Sequence, residues 1–216
     1  MNPDYKIVLM EMDYIKKSPS QKLNIPSNPI TTSKPMLEIR VHGRGGAGVK
    51  SCAQILGKAA FLSGFQTQDF SLYGAERRGA PIVSFIRIDK EKILERGYIT
   101  KPDIVIILDD SISFEKMLEG TTEFTMVLVN TNRAQKLGFD KKKNFICFDA
   151  TSAALGTIGK PIPNTVMLGL LVKRLKDKIP FENLEKAIEE KLDNYPEKVI
   201  EANKEAARIG YGSRHG

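Results

Sequence analysis

Apolar residues gather in short runs, at 37–42, 65–70, 82–88, 104–108, 124–129 and 145–148, flanked by Gly, Pro, Ser, Asn or charged residues. Runs of that length, rich in Ile, Val and Phe, read as β-strands, and the longer intervals between them leave room for helices. Between the first two runs Val49, Cys52, Ala53, Leu56, Ala59 and Ala60 recur at helical spacing, and Gly64 stands where a helix C-cap belongs. This spacing predicts a crossover helix, and a crossover helix makes the first two strands parallel. In the last third the period changes. Asn164 is placed to N-cap a helix over 166–175 whose first half is apolar nearly all round, and so is expected inside. A second helix follows Pro180 with Phe181, Leu184, Ile188 and Leu192 on one face, and a third runs from Pro196 with Val199, Ile200, Ala206 and Ile209. Their polar faces mix both charge signs, which suits packing on a core better than lying on lipid.

The alternation defines the fold class as α/β: a Rossmann-like, mostly parallel sheet flanked by helices, with a helical C-terminal part and an extended N-terminal arm. The arm, 1–36, carries Pro19, Pro26, Pro29 and Pro35 among Ser, Asn and Thr after a mixed segment at 5–12, and reads as an extension and linker. The folded unit is expected over 37–212, with 213–216 as a tail.

Composition narrows the function classes. With 216 residues, 41% hydrophobic and 27% charged, the chain has the make-up of a globular protein large enough for one substantial core. No apolar run reaches the roughly 18 residues of a membrane span, so no membrane contact is expected. Cys52 and Cys147, without CxxC pairing, supply no zinc or iron–sulfur ligand set and read as small hydrophobes in a reducing, cytoplasmic setting. The net charge of +7 is spread along the chain; only Lys141, Lys142 and Lys143 form a tight run, in a turn before a strand. Without interleaved aromatics that run reads as a solvated loop face, and no nucleic-acid partner is expected.

The chemistry concentrates in HGRGGAGVKS at 42–51, where Gly43, Gly45 and Gly48 form a GxGxxG pattern, with Arg44 and Gly46 inside it, at the end of a strand and the start of a helix. Glycines let the backbone turn tightly and approach a ligand, while the free N–H groups and positive end of the helix favour an anion such as a phosphate. The acidic residue that would hold a ribose about 20 positions on is met only loosely by Asp69, so NAD binding stays open but weakly supported. A P-loop is narrowly missed, because Val49 intervenes before Lys50 and Ser51 and turns the lysine by about 100° on the helix.

A second stretch, YGAERRGAP at 73–81, places Glu76, Arg77 and Arg78 on a loop between strands two and three. Arginine suits bidentate capture of phosphate or carboxylate, although a structural arginine paired with Glu76 or backbone carbonyls fits the residues equally. Loops leaving strands one and two emerge at the same carboxyl edge of a parallel sheet, which brings this one toward the glycines as a subunit or ligand contact. At 150–169 a small-residue stretch leads into the apolar helix; Thr151 and Ser152 can line a polar crevice there. His42 reads as a structural residue at a strand end, since no partner carboxylate or nucleophile stands at a recognisable spacing. The sequence offers no GxSxG elbow, no HExxH and no paired-carboxylate signature, and reads as a binding rather than a catalytic chain.

Together these stretches resemble the gamma subunit, or gamma domain, of the 2-oxoacid:ferredoxin oxidoreductases, the pyruvate synthase family. The marks are EIRVHGRGGAG at 38–48, YGAERRGAP at 73–81, PDIVIILD at 102–109, NTVMLG at 164–169 and EANKEAARIGY at 201–211. The resemblance covers about 37–212 and lies nearer to the pyruvate and branched-chain (2-ketoisovalerate) members than to the 2-oxoglutarate ones. Two departures stand out: many relatives carry Gln where Ala47 stands, and many lack the N-terminal extension.

The resemblance implies a subunit that is not catalytic alone. In such complexes pyruvate, coenzyme A and oxidised ferredoxin become acetyl-CoA, CO2 and reduced ferredoxin, using thiamine diphosphate, Mg and iron–sulfur clusters carried by alpha-, beta- and delta-type partner subunits. Joined to the anion-ready turn, it implies that Gly43, Arg44, Gly45, Gly46 and Gly48, with Arg77 or Arg78, receive the phosphate-bearing end of coenzyme A. The competing readings are a stand-alone NAD(P)-binding Rossmann protein, a subunit of a 2-ketoisovalerate-type oxidoreductase, and a purely structural subunit.

Overall fold

The structure, a computed structural model, describes residues 36–73, 80–139 and 141–213. Each apolar run becomes a strand: β1 (Leu37–Arg44), β2 (Gln66–Tyr73), β3 (Pro81–Asp89), β4 (Ile104–Ile107), β5 (Met126–Asn130) and β6 (Phe145–Phe148). They form one six-stranded sheet in the order β2-β3-β1-β4-β5-β6. The pairs β1–β4, β4–β5 and β5–β6 are parallel, whereas β3 is antiparallel to both β1 and β2. Thus β2 runs in the direction of β1, as the crossover helix α1 (Val49–Leu62) requires, but it is not β1's neighbour. The short connection out of β2 permits only an antiparallel return, and β3 fills the slot that the crossover left beside β1.

The strand period of two separates the faces. Ile39, Val41, Ile86, Ile104, Ile106 and Leu128 point into the larger core. That core is closed by α1, α3 (Ala150–Thr157), α4 (Asn164–Val172), α5 (Phe181–Lys191) and α6 (Glu197–Gly212). On the other face Val105, Ile107, Val127 and Val129 are covered by Ile112, Met117 and Phe139 from loops and the single-turn α2 (Phe114–Met117). Farther along that face Tyr98 stacks on Phe85 and Phe70, at 5.5 Å and 6.4 Å between centroids. Among the described residues, all the longer helices therefore lie on one side of the sheet, and loops roof the other.

Gly64 ends α1 as expected, at φ 87° with its N–H donating to the Phe61 carbonyl. Two expectations for the helical third need correction. Asn164 is the first helical residue and Pro163 holds the cap position; the Asn164 Oδ1 instead accepts from the Thr165 N–H at 2.9 Å. Ile209 was expected on the buried face of α6 and is 37% exposed, while Asn203, Ala206, Ala207 and Gly210 are buried. The reason is the close approach of α4. A Cβ on Gly210 would overlap the Val166 carbonyl, and one on Gly169 would overlap the Ala207 carbonyl, so the two helices meet backbone to backbone. Only small side chains fit that seam, and Ile209 is turned away from it.

Arg40, on the loop-roofed face of β1, is 1% exposed. One of its terminal nitrogens donates to the Met117 carbonyl at 3.0 Å and the Glu119 carbonyl at 2.6 Å, so the guanidinium caps the end of α2. Burial lowers its pKa to about 10, partly offset by Glu119.

Candidate functional site

The glycine turn leaves β1 at the point where the sheet topology divides: from β1 the chain goes first to β2 and β3 on one side, then to β4, β5 and β6 on the other. Crevices at such points, outside the carboxyl ends of parallel strands, are where open α/β sheets bind ligands. Three glycines are needed there for different reasons. A Cβ on Gly43 would stand 2.7 Å from Val49 Cγ2 and 3.2 Å from Leu108 Cβ, so glycine lets helix and strand close on each other. Gly46 (φ 103°) and Gly48 (φ 79°) adopt the left-handed region. The Ala47 N–H closes the turn on the Arg44 carbonyl at 3.0 Å, and the Cys52 N–H to Gly48 carbonyl bond, at 2.8 Å, begins α1.

What the sequence did not disclose is the partner of this turn. A Cβ on Gly48 would fall 2.5 Å from Asn164 Nδ2, so the N-termini of α1 and α4 converge. Neither helix has an acidic residue in its first turn or a side-chain cap, whereas Asp149 caps α3, and α5 and α6 carry Glu182 and Glu197. Two uncompensated positive helix ends thus meet. Asn164 is 5% exposed and uses its oxygen on Thr165; its Nδ2 makes no hydrogen bond to another described residue. A donor with no hydrogen bond to another described residue, standing beside two helix N-termini, suits an anionic oxygen.

The opposite wall is the loop after β4. Leu108 N–H donates to the His42 carbonyl at 2.8 Å, extending the β1–β4 ladder to the rim. Arg44 Nε–H donates to Ser111 Oγ at 3.0 Å and lies 3.4 Å from Asp109 Oδ2. Asp109 Oδ1 accepts the Ser111 N–H at 2.9 Å. Asp110 turns the other way, accepting from Thr131 Oγ1 at 2.6 Å and pairing with Arg133 at 2.9 Å. Asn130 Nδ2 donates to the Leu108 carbonyl and to Thr151 Oγ1, each at 2.8 Å, and Ser152 Oγ donates to Asp149 Oδ2 at 2.7 Å. Thr151 and Ser152 thus serve this edge chiefly by holding its loops.

The other expected residues are distributed as follows. Gly43, Arg44, Gly46 and Gly48 are brought together at the crevice, and Gly45 N–H donates to the Ala80 carbonyl at 2.9 Å. Arg77 and Arg78 lie outside the described residues; the last residue of β2, Tyr73, pairs with Ile82, so both β2 and β3 reach this same edge. His42 is 8% exposed, and burial, with Arg40 nearby, pushes its pKa down to about 3, so it is a neutral imidazole. Asp69 does not serve a dinucleotide: it lies on the outer strand β2, with the position of a Gly57 Cβ 3.6 Å from its carboxylate. Cys52 lies in the helix-side core and Cys147 packs on the loop-side cluster, so the sheet separates them.

Fold and crevice define an α/β domain in which a glycine turn and a strand-end loop face each other at the carboxyl edge of the sheet. The family model for pyruvate ferredoxin/flavodoxin oxidoreductase matches residues 38–213, and the chain belongs to that family. Pyruvate synthase subunit PorC of Thermotoga maritima is 44% identical over 186 residues, spanning 83% of this chain and 95% of its own. The pyruvate/ketoisovalerate oxidoreductases common subunit gamma of Pyrococcus furiosus is 38% identical, spanning 82% of this chain and 96% of its own. The crystal structure of the T. maritima PORC subunit superposes with a TM-score of 0.70 at 40% identity, covering 82% of this chain and 96% of that one. The resemblance read from the glycine turn and the YGAERRGAP loop is thereby confirmed. A 2-oxoglutarate:ferredoxin oxidoreductase from Magnetococcus marinus, solved with 2-oxoglutarate, coenzyme A and succinyl-CoA, shares the fold at a TM-score of 0.67 and 20% identity, this chain matching 30% of its length. No helix among the described residues is long and apolar enough to cross a membrane.

Proposed function

We propose that this chain is the gamma subunit of a cytoplasmic 2-oxoacid:ferredoxin oxidoreductase of the pyruvate synthase type, and that its crevice holds the phosphate-bearing end of coenzyme A. The subunit reading is supported by relatives whose names are those of gamma-type subunits, each matched over nearly its whole length. The coenzyme reading rests on one observation above the rest: two uncompensated helix N-termini meet at Gly48 and Asn164, with the Asn164 amide nitrogen left over. Thiamine diphosphate with Mg2+ and iron–sulfur clusters, on alpha-, beta- and delta-type partners, supply decarboxylation and electron transfer to ferredoxin. With only Cys52 and Cys147, on opposite faces of the sheet, this chain does not fit a cluster of its own.

In this reading the chain contributes binding and orientation. The first N–H groups of α1 and the Asn164 amide receive phosphate oxygens, Arg44 faces them from the rim, and the glycines at 43–48 allow the approach. Holding the coenzyme by its anionic end leaves the thiol end free to reach chemistry on the neighbouring subunit, which makes the acyl transfer effectively intramolecular. The reaction is pyruvate with coenzyme A and oxidised ferredoxin giving acetyl-CoA, CO2 and reduced ferredoxin. One relative is named as common to pyruvate and ketoisovalerate enzymes, which fits a chain that handles the shared coenzyme and leaves choice of oxoacid to other subunits.

The test is calorimetry of the assembled complex with coenzyme A, comparing the parent with Arg44→Ala, Gly45→Val and Asn164→Ala. Loss of one charge-assisted or neutral hydrogen bond is expected to weaken binding by roughly tenfold in each single polar variant. Unchanged affinity in all three leaves the turn a purely architectural one.

A further inference from the structure

The crevice contains a feature at odds with anion binding: a carboxylate, Asp109, facing the rim arginine. Its position is fixed from both sides. Asp109 Oδ1 takes the Ser111 N–H, so the side chain is folded back on its own loop, while Oδ2 stands 3.4 Å from Arg44 Nε. Ser111 Oγ receives the same Arg44 Nε–H at 3.0 Å, closing a three-residue ring across the β1–β4 boundary. The next residue, Asp110, is committed to Thr131 and Arg133 and is not a substitute. Both members of the Arg44–Asp109 pair are partly exposed, so solvent and ligand can reach them.

We propose that Asp109 is a built-in competitor for Arg44: its Oδ2 stands beside the Nε side of the guanidinium, where a phosphate oxygen would sit, and the incoming phosphate displaces it. This rests on the coenzyme reading above and adds to it a device that limits affinity and hastens release. A carboxylate carries one negative charge and two oxygens, and a phosphate group of the coenzyme carries more charge and offers the same planar fork a second acceptor edge. The exchange is therefore favourable but not by much, because a carboxylate held by its own loop loses little freedom in pairing. A carrier that must be charged with an acyl group and let go on every cycle benefits from such a moderated grip, since binding that is equally tight before and after the reaction does not raise turnover.

The experiment is a double-mutant cycle in the assembled complex, measured by calorimetry with coenzyme A: the parent, Asp109→Asn, Arg44→Ala and the double variant. Asparagine keeps an Oδ1 acceptor for the Ser111 N–H, so the loop retains its turn while the charge is removed. Asp109→Asn is expected to tighten coenzyme A about threefold to fivefold, the scale of a partly exposed ion pair, and to have no effect when Arg44 is alanine. Tightening by the same factor in the Arg44→Ala background overturns the proposal, because the carboxylate would then act through general charge. Weaker or unchanged binding in Asp109→Asn, with binding lost in Arg44→Ala, also overturns it and shows Asp109 to be an orienter of Arg44, leaving the coenzyme reading intact. If Arg44→Ala is without effect the competitor fails, and if Gly45→Val and Asn164→Ala are without effect as well the coenzyme reading fails with it.

Discussion

The three glycines of the turn invite a graded test, because replacing each by alanine meets a different obstacle. At Gly46 a Cβ finds nothing within 4 Å, but φ is 103°. The cost is therefore the left-handed penalty alone, about 1–2 kcal/mol. Gly43 has no such backbone demand; its Cβ would press on Val49 and Leu108, at 2.7 and 3.2 Å, so the cost is overpacking, about 1–3 kcal/mol. Gly48 combines both, with φ 79° and a Cβ 2.5 Å from Asn164 Nδ2. Asn164 would have to withdraw by about 1 Å to reach ordinary contact distance, and the summed cost is about 2–5 kcal/mol. Urea unfolding of the purified chain, followed by circular dichroism, reads these differences from the midpoints at constant slope. The decisive variant is Gly48→Ala with Asn164→Ala. Most of the steric share should go, since only the Asn164 Cβ, 3.1 Å from the added methyl, remains, while the backbone share stays; the cycle should therefore give a coupling of about 1–2 kcal/mol, from which the intrinsic cost of losing the Thr165 contact cancels. Equal destabilisation by Gly46→Ala and Gly48→Ala, together with no coupling to Asn164, would show that the two helix ends do not touch as described.

Further measurements address the buried groups. His42 is held neutral with a pKa near 3 in the fold, against about 6.5 in the unfolded chain, so on acidification the unfolded state takes up a proton that the folded state refuses. Stability is thus full above about pH 6.5 and declines as pH falls toward 3, by up to about 1.4 kcal/mol per pH unit; His42→Leu should flatten that decline in urea midpoints taken between pH 6.5 and 5, and an unchanged slope refutes the assignment. Burial pushes the Cys52 thiol well above the ordinary range, while Cys147 is half-buried on the other face. A thiol reagent at neutral pH should label the native chain at Cys147 and reach Cys52 only after denaturant is added; rapid native labelling of Cys52 contradicts the packing.

Much of this was legible in the sequence because it is local. Ile104, Val105, Ile106 and Ile107 form a strand buried on both faces, and a run of that kind announces itself without its neighbours. Gly43, Gly46 and Gly48 mark the turn by composition alone. What remained hidden is set by partners distant in the chain. Strand order depends on which slot the α1 crossover leaves open, and no residue of β3 states that it belongs between β1 and β2. The meeting of Gly48 with Asn164 crosses most of the domain, and the NTVMLG stretch suggested only a cap. Burial in α6 went to Ala207 and Gly210 instead of Ile209, because the seam with α4 selects for absence of volume. The rim was missed although a signal was present: two consecutive aspartates directly after an apolar strand, at 109 and 110, are costly at a carboxyl edge unless cations stand opposite. Arg44 and Arg133 do.

The manner in which Arg40 grips the loop beyond β4 has a bearing on how this domain can diverge. Its guanidinium reads carbonyl oxygens of Met117 and Glu119, which every amino acid presents alike. The clasp itself consequently makes no demand on the side chains at those two positions: Glu119 can drift from species to species while it endures, and Met117 is constrained only by its packing on the sheet. An insertion or deletion between 108 and 119 enjoys no such liberty, since it would carry the oxygens out of register and strand a charge inside the protein. Among homologues, then, the length of this loop should be more tightly preserved than its spelling.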